Sequence, residues 1–355
     1  MKEFIPNKLP ILKDIETKAI LKKSILANSA LAKLNGVANI IPNSNILINS
    51  LALQEAKDSS EIENIITTHD ELYKANLDIK NISHSVKEVQ NYKNALLKGF
   101  DLVKKNKLLL KRDIVQIQKE LEQNDAGIRK QSGTNLKNAK TGEVIFTPPQ
   151  QFEIIEELLI NLEQYINEPN DIDTLINMAI IHYQFETIHP FYDGNGRTGR
   201  IINVLYLILN DLLDIPILYL SNYIIKHKAD YYRLLQEVRT KDNWEEWVLY
   251  ILDGVEQTSK ETVVLVSDIA NMMESTKHSI QDNLPKIYSK DLIEILFSHP
   301  YTKIDFLVAG LGLTRQTASK YLKELESLGV LESIQIKNSK FYINVELFAR
   351  LKKGI

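Results

Sequence analysis

Apolar residues recur at spacings of three and four along most of this chain, which is the period of amphipathic helices. Only 13 glycines and 10 prolines interrupt the pattern, so the chain is predicted to be mainly α-helical with little sheet. The clearest helices cover residues 153–166, 172–187 and 196–208. Between the last two, His189-Pro190 is expected to end the helix, because proline disfavours its continuation.

Two shorter helices are predicted near the N-terminus, at residues 45–56 and 59–66. The adjacent charged residues Lys57 and Asp58 interrupt the apolar pattern between them. The prediction therefore places a polar break at this point.

Two segments depart from the helical pattern. Glycines punctuate residues 127–149, Val144 and Phe146 alternate with their neighbours, and two prolines close the segment, which is typical of a β-hairpin. Residues 301–344 contain a helix, a glycine turn, a second helix capped by Thr314 and an alternating stretch that resembles a two-stranded wing. That order predicts a winged helix-turn-helix domain.

These patterns divide the chain into four predicted parts. They are an N-terminal helical region at 1–95, a catalytic core at 96–255, a helical linker at 256–285 and the winged-helix domain at 286–355.

Composition narrows the class of protein. The formal net charge is −3, from 43 Lys plus Arg against 46 Asp plus Glu, which is too balanced for a chain that coats nucleic acid along its length. Residues 286–355 alone hold 11 basic and 7 acidic residues, a local +4, so DNA is left open as a partner of this tail. There is no cysteine, which excludes a thiolate nucleophile and cysteine-ligated metal sites and suits a reducing cytoplasm. Neither a signal peptide nor a membrane span is expected.

The densest chemical information lies in the twelve residues from His189 to Arg200, HPFYDGNGRTGR. Glycines and the start of a helix let backbone N–H groups face an anion. Arg197 and Arg200, three residues apart, suit a polyphosphate, and Asp193 is a natural Mg²⁺ ligand beside a nucleotide. His189 can accept a proton from an incoming hydroxyl.

Part of this segment, GNGRTG, matches the dinucleotide fingerprint G-x-G-x-x-G. The fingerprint requires a preceding strand in a βαβ unit, whereas residues 172–187 are predicted to be helical, so that interpretation is rejected. A Walker A motif, a kinase loop and H-E-x-x-H are absent from the sequence.

The segment resembles the signature of the Fic family, H-x-F-x-(D/E)-G-N-G-R-x-x-R, at every specified position. The similarity extends over about residues 10–255 and implies a mostly helical Fic fold that transfers AMP from ATP to a Tyr, Thr or Ser hydroxyl of a target protein. It implies His189 as the base, Asp193 as the Mg²⁺ ligand and the hairpin at 133–149 as a flap on which the target docks. The nucleotide-binding residues that it implies are Gly194, Asn195, Gly196, Arg197, Thr198, Gly199, Arg200 and, near the adenine, Tyr232.

A second motif refines this expectation. Ser59-Ser-Glu-Ile-Glu-Asn64 resembles the inhibitory pattern of the family, (S/T)-x-x-x-E-(G/N), with Ser59 and Glu63 on one helical face. The expected inhibitor is Glu63, whose carboxylate would pair with Arg200 and block the γ-phosphate site. The main hypothesis is therefore an autoinhibited, Mg²⁺-dependent protein adenylyltransferase that also modifies itself.

Two other functions are left open by the sequence. Glu63 could instead position water to remove AMP from modified targets, or the chain could be a DNA-binding regulator whose core senses nucleotide. A homodimer is also left open. The acidic stretch at 120–125 is interpreted as a solvated face.

Overall fold

The computed structural model describes residues 3–75, 82–137, 141–336 and 339–354. Residues 138–140 of the predicted flap and 337–338 of the predicted wing lie outside this part. The described chain is mainly helical, as predicted. Within it, no helix combines the length and apolar character needed to cross a bilayer.

Five helices precede the hairpin. They are α1 (Lys18–Ala38), α2 (Ser44–Ile62), α3 (His69–Ala75), α4 (His84–Asn106) and α5 (Lys111–Glu122).

The predicted break at Lys57 and Asp58 is wrong, because α2 is one continuous helix through both residues. Asp58 is only 6% exposed and accepts hydrogen bonds from Tyr219 (Oη–Oδ2, 2.7 Å) and Asn222 (Nδ2–Oδ2, 2.9 Å). Lys57 pairs with Glu61 at 2.8 Å, one turn further along the helix. Polar groups of the protein thus take the place of the water that these two charged side chains were expected to contact.

The hairpin is confirmed in its described residues. Strands β1 (Leu136–Lys137) and β2 (Val144–Phe146) pair antiparallel, with Leu136 opposite Phe146. The ring of Phe146 contacts Phe4, and the Phe4 N–H donates to the Thr147 carbonyl at 2.9 Å. The N-terminal segment therefore anchors the base of the hairpin.

In the described chain, six helices lie between the hairpin and the C-terminal unit. They are α6 (Phe152–Asn167), α7 (Thr174–Ile188), α8 (Asn195–Leu209), α9 (Leu220–Lys226), α10 (Lys228–Lys241) and α11 (Trp244–Asn283).

Helix α7 is the centre of the core, since every residue from Leu175 to Ile188 is buried. It packs against α6, α8 and α11, while α1 lies along α11. Trp247 of α11 is fully buried and stacks on His182 of α7 with ring centroids 5.9 Å apart. Its polar side chains, such as His182 and Glu186, are buried together with the apolar ones.

The C-terminal unit holds the order predicted for it. Its elements are α12 (Lys290–Ser298), β3 (Tyr301–Thr302), α13 (Ile304–Leu311), α14 (Arg315–Ser327), β4 (Leu331–Ile336), β5 (Ser339–Asn344) and α15 (Val345–Lys352), with the strands in the order β3-β5-β4.

Thr314 caps α14, its Oγ1 accepting from the Thr317 N–H at 3.2 Å. Two of the exposed basic residues of this unit are paired with neighbouring acids, Arg315 with Asp305 and Lys320 with Glu324. Helix α11 is continuous across residue 255, where the core was predicted to end and the helical linker to begin.

Helix α2 lies between the core and the C-terminal unit. It packs against α4 and α9 on one side and against α12 on the other. The Gln54 amide donates to the Leu351 carbonyl of α15 at 2.8 Å. The C-terminal turn of α2 thus reaches the motif that follows α7.

Candidate active site

Two helix ends meet at the motif. Helix α7 closes at His189, whose backbone is left-handed (φ 49°) and whose N–H donates to the Phe185 carbonyl at 3.0 Å. Helix α8 opens after Gly194, which is also left-handed (φ 77°). The local sequence dictates this shape, because proline follows the first position and glycine tolerates the second.

The side chain of Asn195 closes the loop between the helices. Its Oδ1 accepts from the Phe191 N–H at 2.8 Å and its Nδ2 donates to the Phe191 carbonyl at 2.9 Å. Asn195 is only 3% exposed. Its amide therefore fixes the loop, and contact with a phosphate would require these bonds to be exchanged.

The start of α8 forms a cradle for an anion. The first helical bond runs from the Thr198 N–H to the Gly194 carbonyl at 2.9 Å. Within the described chain, the N–H groups of Asn195, Gly196 and Arg197 donate to no acceptor. Such N–H groups, together with the positive end of the helix dipole, are a binding site for phosphate or carboxylate.

A carboxylate lies over this cradle. Oε1 of Glu63 accepts a hydrogen bond from Nη2 of Arg200 at 2.8 Å. The same oxygen is 2.5 Å from the position that a Cβ on Gly196 would take. Glu63 therefore occupies the space in front of the helix N-terminus where an anion would bind.

The electrostatics of this pair favour the charged forms. Burial acts to raise the pKa of Glu63, but Arg200, followed by Arg197 and Lys228, holds it below its usual range. The Arg200 side chain is only 2% exposed, so its buried positive charge needs a nearby negative group to stabilise it.

Ser59 completes the grip on Arg200. Its Oγ accepts from Nε of Arg200 at 2.7 Å, and its backbone carbonyl accepts from Nη2 at 2.9 Å. Helix α2 thus holds the guanidinium with a hydroxyl, a carbonyl and a carboxylate from its last turns.

His189 is available as a base. Burial, with help from the nearby Arg129 and Arg239, lowers its pKa to about 4, so the imidazole is neutral at pH 7. Its Nδ1 is buried and has no hydrogen-bond partner in the described residues. Its carbonyl accepts from Nε of Arg129 at 2.8 Å. A neutral imidazole can accept a proton from a hydroxyl.

Arg129 is a residue of this site that the sequence analysis missed. It is fully buried and ties the hairpin to the motif: its guanidinium donates to the carbonyls of His189 and Pro149, and its N–H donates to the Pro190 carbonyl at 2.9 Å. The sequence gives one indication of this role, which is the position of Arg129 shortly after Gly127 and before the strands of the hairpin.

Arg197 is held on the other side of the motif. Its Nη1 lies 3.0 Å from Oε2 of Glu88 on α4, and its Nη2 lies 2.8 Å from Oε1 of Glu122 on α5. The interpretation of 120–125 as a solvated face is therefore wrong for Glu122, whose side chain is only 12% exposed. Glu122 points inward because it pairs with Arg197, which is distant along the chain, so the residues next to Glu122 gave no indication of its burial.

Asp193 fits the Mg²⁺ ligand that the resemblance implies. Its side chain is exposed beside the cradle, and its Oδ1 accepts from the Gly194 N–H at 2.7 Å. Mg²⁺ prefers hard oxygen ligands and commonly takes one carboxylate together with substrate phosphates. The described residues contain no group of three or more His, Cys, Asp or Glu side chains that could hold a metal.

The remaining predicted residues divide into two groups. Tyr232 is 44% exposed, and its ring lies edge-on to that of Tyr231 with the ring centroids 5.1 Å apart. Thr198 is fully buried, and Gly199 faces α7, where a Cβ would lie 2.7 Å from Oε1 of Glu186. Gly199 thus packs α8 against α7.

Comparison with known proteins supports the motif. Residues 108–207 match the model of the Fic/DOC family, residues 21–101 match the Fic/DOC family N-terminal model, and residues 272–347 match the C-terminal domain of SoFic-like protein adenylyltransferases.

The chain belongs to the Fic family.

Two curated relatives share short segments with this Fic protein. A probable protein adenylyltransferase of Aquifex aeolicus is 35% identical over 79 residues, which cover 22% of this chain and 24% of the relative. A protein adenylyltransferase of Caenorhabditis elegans is 39% identical over 59 residues, which cover 16% of this chain and 11% of the relative.

Solved structures share the Fic fold over a longer range. A Fic family protein of Desulfovibrio desulfuricans superposes with a TM-score of 0.61 at 20% identity, over 96% of this chain and 98% of its own. Fic-1 of C. elegans gives a TM-score of 0.54 at 20% identity, over 70% and 73% of the two chains. The predicted fold class, a helical Fic core with a small hairpin and a further C-terminal domain, is confirmed.

Proposed function

We propose that this protein is an autoinhibited adenylyltransferase that transfers AMP from ATP to a Tyr, Thr or Ser hydroxyl of a target protein and of itself. The proposal is based mainly on the position of Glu63. Its carboxylate accepts a hydrogen bond from Arg200 and lies over the start of α8, where a phosphate would bind. The names of the curated relatives support the same activity.

The chemistry follows from the positions of the groups. The neutral imidazole of His189 removes the proton of the acceptor hydroxyl, whose oxygen attacks the α-phosphorus of ATP. The bond from that phosphorus to the bridging oxygen breaks, pyrophosphate leaves, and AMP stays on the acceptor as a phosphodiester. The free N–H groups of Asn195, Gly196 and Arg197 and the guanidinium groups of Arg197 and Arg200 donate hydrogen bonds to the phosphate oxygens. Mg²⁺ held by Asp193 would neutralise charge on the phosphates when it is bound.

The flap at 133–149 is proposed to position the acceptor. Among the described residues, strand β2 pairs with the short β1 alone, and Ile145 on β2 is 42% exposed. A target segment that adds as a strand would be aligned mainly through backbone hydrogen bonds. Arg129 links the end of the hairpin to the carbonyl of His189 through hydrogen bonds. A target segment paired with β2 would therefore be held at a fixed position relative to His189, the proposed general base.

Autoinhibition follows from competition for one guanidinium. While Glu63 holds Arg200, a γ-phosphate lacks its counter-ion and meets a carboxylate of the same charge. ATP that binds in this state has its α-phosphate misaligned for attack. A cytoplasmic location, a homodimer and DNA binding through residues 286–355 remain predictions.

The test is intact mass spectrometry after incubation with ATP and Mg²⁺. We expect an AMP-sized increment in Glu63→Gly, but none in wild type or in Glu63→Gly/His189→Ala. Glu61→Gln is the matched control, because Glu61 lies on the same turn and pairs with Lys57 instead. Equal modification of wild type would disprove the role of Glu63. No increment in any form, with candidate targets present, would disprove AMP transfer and favour AMP removal.

A further inference from the structure

Arg197, unlike Arg200, is held by two carboxylates that have no part in the Glu63 contact. Its guanidinium is 4% exposed and lies between α4 and α5. Glu88, the fifth residue of α4, and Glu122, the last residue of α5, each bind one terminal nitrogen of the guanidinium, at 3.0 and 2.8 Å. Glu63 caps the C-terminal end of a third helix, α2, and its carboxylate forms its ion pair with Arg200.

The last turn of α5 also supports the loop before the cradle. Oε1 of Glu122 is 2.4 Å from the position that a Cβ on Gly194 would take, so the carboxylate lies directly against that glycine. One turn earlier, Nε2 of Gln118 donates to the Asp193 carbonyl at 3.3 Å. The guanidinium of Arg197 and the loop of Asp193 are therefore fixed by the same helix end.

Both glutamates face open space beside the motif. A cleft of about 650 Å³ is lined by Glu88, Glu122 and Asp193 together with residues of α4. Their carboxylates therefore border the same cleft as Asp193, the predicted Mg²⁺ ligand, and as the basic residues Lys87 and Lys93.

The charges in this arrangement do not balance. One arginine between two glutamates carries a net charge of −1, and an ionised group at this depth is screened less than at the surface. An arginine in that state holds its geometry but offers a phosphate no net positive charge. The two glutamates therefore fix the guanidinium and at the same time oppose the binding of an anion beside it.

We propose that Glu88 and Glu122 are positioning residues that act through Arg197, holding its guanidinium for the transfer step at the expense of nucleotide affinity. The proposal rests on the proposed function, because it assumes that the anion on the cradle is a nucleotide phosphate. It does not depend on the hydrogen bond between Glu63 and Arg200, which uses a different arginine and a different helix, and the Glu63→Gly background used in the test also removes the Glu63 charge from near Arg197.

The test combines binding and kinetics in the Glu63→Gly background. Calorimetry with ATP and Mg²⁺ gives the Kd, and AMP incorporation gives KM and kcat. For Glu122→Gln we expect Kd and KM to fall by about tenfold, because one negative charge is removed, and kcat to fall by about tenfold, because one of two anchors is weakened. Glu122→Asp keeps the charge and should leave Kd within about twofold of the parent.

Glu120→Gln is the matched control, because it removes the same charge from the same helix without touching Arg197. It should change Kd by less than about twofold. A Glu122→Gln variant whose Kd is unchanged or raised overturns the proposal, as does an equal fall of Kd in the control.

Glu88→Gln provides a second variant for the case in which Glu122→Gln does not fold. The same joint fall of Kd and kcat is expected from it, and an unchanged Kd overturns the proposal. If Glu63→Gly binds ATP but transfers no AMP, the proposed function fails, while the calorimetric Kd values still decide the role of the glutamates.

Discussion

Replacement of Glu63 tests whether charge or volume closes the nucleotide site. Glu63→Gln keeps the size of the side chain and removes its charge, whereas Glu63→Gly removes both. In the structure the carboxylate is bonded to Arg200 and lies against Gly196, so both effects could act. The two variants separate them.

The magnitude follows from distance and screening. If a phosphate enters beside the Glu63 carboxylate at a separation of about 5 Å, two unit charges interact by about 3 kcal/mol at an effective dielectric of about 20. The Glu63 side chain is 35% exposed, so solvent screening reduces this value by about half. Removing the charge is therefore worth roughly tenfold in ATP affinity.

Isothermal titration of ATP in the presence of Mg²⁺ measures this change. We expect Glu63→Gln to bind ATP about tenfold more tightly than wild type, Glu63→Gly to bind at least as tightly as Glu63→Gln, and Glu61→Gln to match wild type. A Glu63→Gln variant that binds as weakly as wild type, beside a Glu63→Gly variant that binds tightly, would show that volume alone closes the site and would refute the electrostatic reasoning.

Four further predictions address other parts of the site. In the Glu63→Gly background, His189→Ala should lower the AMP-transfer rate by about 100-fold or more while ATP affinity by calorimetry stays within about twofold. Because burial lowers the pKa of His189 to about 4, the base stays neutral above that value, so the transfer rate of Glu63→Gly should show no inflection near pH 6.5 between pH 8 and 5.5; a midpoint near 6.5 would contradict this. Gly194→Ala should cost about 1–2 kcal/mol in urea unfolding, since the position has φ 77° and Glu122 lies 2.4 Å from the new Cβ; an unchanged unfolding midpoint would show that the loop relaxes freely. Arg129→Ala leaves buried carbonyls without a donor and should cost roughly 3 kcal/mol, measured in the same way, whereas loss of transfer without loss of stability would show that the tie is purely functional.

Local signals gave the motif correctly for a physical reason. Proline at 190 and glycine at 194 restrict or permit backbone angles by themselves, so the end of one helix and the start of the next could be predicted from neighbouring residues. The pairing of Glu63 with Arg200 was reached through the family resemblance, and the structure contains that contact. Nothing in the spacing of the two residues, 137 positions apart, would have shown it.

The two errors share one cause. Lys57 and Asp58 were interpreted as a solvated break, and Glu122 as part of a solvated face, because a charged residue in a sequence is most often exposed. Asp58 instead meets Tyr219 and Asn222, and Glu122 meets Arg197. Each partner lies at least 75 residues away along the chain.

The sequence by itself thus determined the helical class, the hairpin, the loop of His189 and the groups that make an anion cradle, since each depends on residues within a few positions of one another. Only the tertiary structure decided which charges meet: Glu63 with Arg200, Glu88 and Glu122 with Arg197, and Arg129 with the carbonyls of the motif and the hairpin. A charge can be satisfied by water or by any opposite charge, and only the packing of distant helices selects one of them.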